Sequence, residues 1–241
     1  MRINQYLAYC GVASRRQASR LIEAGRVSIN GQLAKHIDTL KLSHRHPPKS
    51  EQQVQLDGIT VTPPTHYNYW IYHKPVGVDC RLLADDPSSI YHRLQLPTRA
   101  YPVGRLDKDS RGLVLITNDG LLTQHLLHPE FAHHKSYLVT VSAPLNADFI
   151  QQMANGVSYQ AVTTQPCQCQ QVNQRQFRIQ LTQGMNRQIR RMCQALGFKV
   201  IDLKRESMMT LSLNGLAENT LRPLEAAEIS ELYQACSLKI T

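Results

Sequence analysis

The seven residues Gly104-Arg105-Leu106-Asp107-Lys108-Asp109-Ser110 set two carboxylates among two cations, and the apolar run Gly112-Leu113-Val114-Leu115-Ile116-Thr117 follows almost at once. Opposite charges close by favour the ionised form of a carboxyl group, so acids in such a setting stay charged at neutral pH. An ionised Asp can act as a nucleophile, as a base, or as an anchor for a basic partner. A charged surface turn before a buried strand would use the same residue types, and spacing leaves Asp107 and Asp109 as equal candidates. Further along, Arg187, Arg190 and Arg191 crowd the start of a predicted helix, where they oppose the positive end of its dipole. They call for anionic partners, either a carboxylate or a phosphate.

These groups need a frame to hold them. Residues 69–72, 112–117, 137–141, 177–181 and 199–203 read as strands. Thr117-Asn118-Asp119-Gly120 carries turn chemistry after the second of these. Residues 186–196 read as a helix with Asn186 as N-cap and Gly197 as its stop. Ile189, Met192, Cys193 and Leu196 form its buried stripe, so Ile189 belongs to the core. Tyr137 is read on its own as a half-buried strand aromatic. The mixture points to an α+β fold.

The first 35 residues have a different rhythm. Ile3, Leu7 and Cys10 share one side of a short helix that Gly11 ends. Ser14-Arg15-Arg16-Gln17 is a capping box opening a second helix, with Ala18, Leu21 and Ile22 as its apolar stripe and Gly25 as its C-terminal stop. Val27-Ser28-Ile29 then alternates, and Asn30-Gly31 signals a hairpin. This leaves Arg15, Arg16, Arg20, Arg26 and Lys35 exposed, with Arg16 and Arg20 in one helical row. Residues 41–53, with His44, His46, Pro47 and Pro48, read as a polar insertion, and residues 59–65 as the run into a linker. The division expected is residues 1–60, a linker at 61–66, and a large segment at 67–241.

Charge narrows the class of partner. The net charge is +9 with a pI near 9.4. It is concentrated in residues 1–50, with nine Lys/Arg against two acids, and in residues 151–200, with six against none. Two basic clusters point to a polyanion, most simply a phosphate backbone. No basic stretch faces the Trp- and Phe-rich apolar surface that membrane binding would use. No run is long enough to span a bilayer, and Met1-Arg2-Ile3-Asn4-Gln5 lacks the core of a signal peptide, so a cytoplasmic protein is expected. The six Cys are scattered; Cys167 and Cys169 read as two thiols on one strand face, without zinc-site spacing, and no metal is expected.

Three separated motifs carry a resemblance. Gly104-Arg105-Leu106-Asp107, Lys135-Ser136-Tyr137-Leu138-Val139 and Gln183-Gly184-Met185-Asn186-Arg187-Gln188-Ile189-Arg190-Arg191-Met192 resemble, in order, the motifs of the pseudouridine synthases that modify ribosomal RNA. His73-Lys74-Pro75-Val76-Gly77 resembles the opening of the small-subunit synthase A family, and the longer motif forms look most like large-subunit synthase F. The N-terminal pattern is similar to the S4 RNA-binding module. Asp79-Cys80 departs from the family's small residue followed by Ser or Thr, and residues 216–221 lack a usual Gly before Arg222.

The resemblance implies a pseudouridine synthase fold, a mixed and largely antiparallel sheet flanked by helices, with a small α/β S4 domain before it. It implies isomerisation of uridine within RNA, most simply large-subunit ribosomal RNA, without cofactor or metal. Asp107 would be the catalytic carboxylate, as nucleophile or base, and Arg190 its ion-pair partner. Tyr137 would stack on the uracil, and Arg105 would fill the space left by the flipped base. Arg187 and Arg191 would meet RNA backbone, together with the basic residues of the small module. The alternatives are transfer RNA as substrate, or an inactive RNA-binding protein of ribosome assembly. A monomer is expected.

Overall fold

The computed structural model describes residues 1–43 and 49–238, so His44, His46, Pro47 and Pro48 of the expected insertion lie outside the described residues. Helices α1 (Ile3–Tyr9) and α2 (Arg15–Glu23) share a core with a small antiparallel sheet of β1 (Val27–Ile29), β2 (Gln32–Leu33), β3 (Val54–Leu56) and β4 (Ile59–Thr60). The capping box forms as the sequence predicts: Gln17 N donates to Ser14 Oγ at 3.2 Å and Ser14 N to Gln17 Oε1 at 2.9 Å. Asn30 and Gly31 both take positive φ, 50° and 80°, which the two-residue turn between β1 and β2 requires. Ile3, Leu7, Ala18, Ile22, Val27 and Val54 fill the core.

The rest of the chain builds one nine-stranded sheet. Its elements in chain order are β5 (Tyr69–Lys74), β6 (Tyr101–Pro102), β7 (Arg111–Thr117), α3 (Gly120–Leu127), β8 (Lys135–Val141) and α4 (Ala147–Asn155). A separate hairpin of β9 (Ser158–Tyr159) and β10 (Val162–Thr163) follows. Then come β11 (Gln168–Asn173), β12 (Gln176–Leu181), α5 (Gln188–Ala195), β13 (Val200–Met208), β14 (Leu211–Ser212), β15 (Leu221–Pro223) and α6 (Ala226–Ala235). The order is β11-β12-β8-β13-β7-β5-β15, with β14 on β13 and β6 on β7. All pairings of this sheet are antiparallel except β7 with β13, where Arg205 faces Gly112. The fold is therefore α+β with a mixed, largely antiparallel sheet.

Strand β7 shows why its sequence is an unbroken apolar run. Leu113 and Leu115 join a core with Leu122 and Leu126 of α3 and Leu232 of α6, whereas Val114 and Ile116 join another with Tyr72, Ile90 and Ala100. Both faces are covered, so alternation disappears. A third core sets Phe149 and Met153 of α4 and Ile189 and Met192 of α5 against Val139, Phe177 and Ile179.

Two local expectations change. The turn chemistry at Thr117-Asn118-Asp119-Gly120 opens helix α3, because Asp119 Oδ1 accepts from Leu121 N and Leu122 N at 3.0 Å each. Helix α5 begins at Gln188, not after Asn186. Arg187 takes the N-cap position with φ 52° and no side-chain cap, while Asn186 Oδ1 accepts from Arg191 Nη2 at 3.0 Å. The small module meets the sheet through Tyr67 Oη donating to Tyr9 Oη at 3.0 Å and Arg99 Nη1 donating to Ala13 O at 2.7 Å. Among the described residues, no helix is long and apolar enough to cross a membrane.

Candidate active site

The turn before β7 is clasped from behind by the segment after β5. Gly77 N donates to Lys108 O at 2.7 Å, and Leu106 N meets Cys80 Sγ at 3.4 Å. Lys74 is fully buried, its Nζ donating to Ser110 O at 2.6 Å and to Pro75 O at 2.9 Å. Burial pushes this ammonium below its ordinary value. Ser110 N closes the turn on Asp107 O at 3.0 Å. The turn is a rigid mount, and the atypical Cys80 takes part in it.

The two carboxylates have different surroundings. Arg187 grips Asp109 with both nitrogens, at 3.0 Å and 2.7 Å, and Arg190 Nε stands 3.4 Å from the same carboxylate. Arg190 Nη2 also donates to Asp109 O at 2.6 Å and Ser110 Oγ at 3.1 Å. Among the described residues Asp107 has one ion-pair contact within 4 Å, Arg187 Nη1 at 3.9 Å, and its side chain is 30% exposed. Arg190 therefore pairs with Asp109, not with Asp107 as the resemblance implied. The left-handed turn at Arg187 draws its guanidinium down onto Asp109, which sits between the two arginines. Asp109 is the carboxylate that the crowded helix start called for. Asp107 is left lining a cleft of about 910 Å³.

That cleft gathers the three sequence motifs. Arg105, Asp107, Tyr137, Arg187 and Ile189 line it, as do Lys135, Gln183, Met185 and Arg205. Tyr137 stands opposite Ile179 on one neighbouring strand and Arg205 on the other, half-buried. Arg105 is exposed at the rim. Arg191, committed to Asn186, is not among the lining residues. Arg15, Arg16, Arg20, Arg26 and Lys35 stand apart on the small module, all exposed, and Arg26 is bidentate to Asp57. Lys74, Lys135 and Arg205 received no role from sequence reasoning. The signal was present for Arg205: a cation in an alternating strand, on the parity of Leu203.

The Cys167 and Cys169 thiols are half-buried, pushed up to about 11 and about 12 by burial, and Cys167 Sγ donates to Met153 O at 3.2 Å. Among the described residues no cluster of His, Cys, Asp and Glu could hold a metal ion.

The Asp109 bracket has a pH signature. Hydrogen bonds from Arg187, then the Arg190 charge, hold its carboxyl below the ordinary range against an opposing effect of burial. A depressed folded value contributes stability above the unfolded pKa of about 3.9 and loses it as pH falls through the folded value. Asp109→Asn is expected to be less stable than wild type by a constant gap above about pH 5, closing as the pH drops below about 4. Nearly half of the side chain is exposed, so screening keeps the gap to about 1 kcal/mol or less. Urea unfolding from pH 2 to 7 measures it; a gap that widens in acid would refute the assignment.

Comparison with known proteins agrees in extent with this geometry. A family model described as RNA pseudouridylate synthase matches residues 68–195, and one described as S4 domain matches residues 1–39. The dual-specificity RNA pseudouridine synthase RluF of Escherichia coli strain K12 is 35% identical, covering 97% of this chain and 79% of the relative. The ribosomal large subunit pseudouridine synthase B of Bacillus subtilis is 32% identical, covering 96% and 95%. A crystal structure of a pseudouridylate synthase superposes with a TM-score of 0.69 at 27% identity, covering 96% of this chain and 99% of that one.

Proposed function

The chain belongs to the RNA pseudouridylate synthase family, and from that premise we propose that it isomerises uridine to pseudouridine in ribosomal RNA of the large subunit, with Asp107 as the catalytic carboxylate. The observation that carries the choice of Asp107 is its freedom. Of the two acids in the turn, Asp109 is bound by two arginines, while Asp107 faces the cleft with a single distant guanidinium beside it.

The reaction breaks the bond between uracil N1 and ribose C1′, turns the base, and joins C5 to C1′. Asp107 either attacks C1′ or removes a ribose proton. Arg187 and Arg190 act through Asp109 to hold the turn that presents Asp107. Tyr137 offers a ring to the uracil on the cleft floor, and Arg105 at the rim can stack in place of the flipped base, since a guanidinium is planar. Flipping a uridine out of structured RNA costs a few kcal/mol. Phosphate contacts from the basic surfaces offset it.

The name of the Bacillus subtilis relative supports large-subunit RNA as substrate, and the dual specificity in the name of the Escherichia coli relative leaves room for transfer RNA as a second one. Residues 1–60 would act as an RNA-anchoring unit on a monomeric enzyme of the cytoplasm, linked through 61–66 to the catalytic residues 67–241. The test is tritium release from large-subunit RNA labelled at uracil C5. Release by the purified protein supports the reading. No release from free ribosomal RNA, subunit precursors or transfer RNA would favour a non-catalytic RNA-binding protein.

Arg15, Arg16 and Arg20 project from α2 without ion-pair partners among the described residues, whereas Arg26 is spoken for by Asp57. Replacing the three by Gln is expected to weaken RNA binding and lower the log–log salt slope by roughly 0.7 to 0.9 for each phosphate no longer neutralised, roughly 2.1 to 2.7 if all three contacts are lost. Binding titrations at several salt concentrations measure it. An unchanged slope would mean that α2 does not touch phosphates.

A further inference from the structure

One end of the cleft holds two cations that no acid among the described residues balances. Arg205 is 3% exposed; its Nε donates to Leu113 O at 2.7 Å, while its Nη2 has no hydrogen-bond partner among the described residues. Lys135 lies on the adjacent strand, two residues from Tyr137, and Tyr137 is itself the cross-strand partner of Arg205. Directly opposed residues and those two apart share a face of a sheet, so all three side chains stand on the same floor, and all three line the cleft. Among the described residues, Lys135 Nζ donates to His133 O alone, at 3.2 Å. Neither cation forms an ion pair among the described residues, and burial followed by the Arg205 charge pushes the Lys135 ammonium below its ordinary value.

A guanidinium does not escape burial by losing its proton. An unmatched buried charge with a free N–H is costly to a folded protein, and such groups recur where a ligand supplies the missing acceptor. Asp109 is gripped by Arg187 and Arg190, and among the described residues neither it nor Asp107 forms an ion pair with Arg205 or Lys135. The acceptor must therefore arrive with the substrate, and it must accept only, because Arg and Lys offer donors alone.

Resting on the isomerase reading above, we propose that Arg205 Nη2 and Lys135 Nζ form a donor site for a carbonyl oxygen of uracil and hold the negative charge of the base while it is detached from the ribose. When the N1–C1′ bond breaks, both electrons stay with the base. The resulting uracil anion spreads its charge over N1, O2 and O4. C1′ is meanwhile captured by Asp107, or unsaturated after loss of a ribose proton. When C5 bonds to C1′, the bond from Asp107 to C1′ breaks with its electron pair returning to the carboxylate, or Asp107 gives the abstracted proton back to the ribose. The C5 proton then leaves and N1 gains one, so the net change is isomerisation. Donors fixed before the reaction, in a site sheltered from water, stabilise charge that appears only on the way to the transition state. Tyr137 beneath the ring and the two cations at its edge would grip the free base from two directions as it turns. Arg205 and Lys135 are on this account catalytic residues, not only frame.

The test compares uridine with 5-fluorouridine at the target position. Fluorine withdraws electrons, so the fluorinated base leaves as a more stable anion and needs less help. In single-turnover reactions followed by loss of the parent nucleoside, Arg205→Met is expected to slow uridine conversion about 10²- to 10³-fold, with KM and RNA affinity within about twofold. The deficit should be about tenfold smaller on 5-fluorouridine, and Arg205→Lys should restore part of the rate. Equal losses on the two bases would overturn the proposal and leave Arg205 a packing residue. A loss confined to KM with a shallower salt slope would also overturn it, in favour of a phosphate contact. Because Arg205 also ties β13 to Leu113, Lys135→Met carries the same comparison if Arg205→Met does not fold. A second arm needs no turnover: calorimetric titration of uracil and of 5-nitrouracil, an anion at neutral pH. Wild type should prefer the anion and Arg205→Met should lose the preference. Absence of preference in wild type would sink the proposal, whereas inactivity of wild type on every RNA would sink the isomerase reading instead.

Discussion

Asp107→Asn abolishes tritium release while RNA affinity stays within about twofold of wild type: this is the expected result with the largest effect on activity. Asn keeps the shape of Asp but cannot ionise, so it neither attacks C1′ nor removes a proton. A loss of about 10⁴-fold or more, equivalent to roughly 5.5 kcal/mol of barrier, follows if the carboxylate is the only such group at the reacting carbon. Folding should be little disturbed. The side chain is partly exposed, and its closest ion-pair contact is 3.9 Å away. The main-chain carbonyl of Asp107, which accepts from Ser110 N and closes the turn, is untouched by the substitution. Asp109→Asn is the informative companion. It should lose stability in the pH-dependent way described above and retain measurable turnover, because Asp109 only holds the turn. Wild-type release by Asp107→Asn, or complete loss in Asp109→Asn with Asp107 intact, would reverse the roles.

Gly112→Ala carries the largest expected effect on stability. Gly112 sits at φ 121°, where side chains are strained. A Cβ there would come within 2.3 Å of Arg205 O and 2.4 Å of Arg205 N. The obstruction is backbone, so no side chain can swing away. It lies at the parallel junction of β7 and β13, the seam that sets the turn carrying Asp107 beside Tyr137 and Arg205. Relief requires β13 to move, which also moves the hydrogen bond from Arg205 Nε to Leu113 O. A cost of about 3 kcal/mol or more is expected, from strain and lost pairing together. At this chain length that is a fall in Tm of about 6 to 12 °C. Thermal unfolding measures it, with Gly184→Ala as control, since a Cβ at Gly184 meets nothing within 4 Å. A fall no larger than the control's would show that the seam yields easily.

Gly112 also marks the boundary between what could be read early and what could not. In sequence it is the first residue of an apolar run, and nothing distinguishes it from any glycine at a strand start. Its importance comes from Arg205, which is far away along the chain. The same holds for the parallel pairing of β7 and β13. The strands themselves were legible, because each has its own residue pattern. Their neighbours and directions were not, because pairing is set by long-range burial. Asn186 is a further case. Its residue type suits an N-cap, yet the demand of Asp109 for two guanidiniums moved the helix start to Gln188 and left Asn186 to Arg191. Asp119 shows the converse, since turn residues and helix caps share their chemistry and only α3 behind it decided which it was.

The order of amino acids was enough to specify the chemistry available and most of the local structure. Charge distribution called for a polyanion, capping and hairpin signals laid out the small module, and three motifs in order carried the family. These are properties of residue types at short spacing, which local sterics, hydrogen bonding and charge enforce without knowledge of the rest of the chain. The tertiary structure alone decided which carboxylate faces the cleft. It paired Arg187 and Arg190 with Asp109, left Asp107 open, and set the buried Arg205 with the half-buried Lys135 on the cleft floor. Electrostatic roles depend on distances of a few ångströms between residues tens of positions apart, and only the closing of the sheet sets those distances.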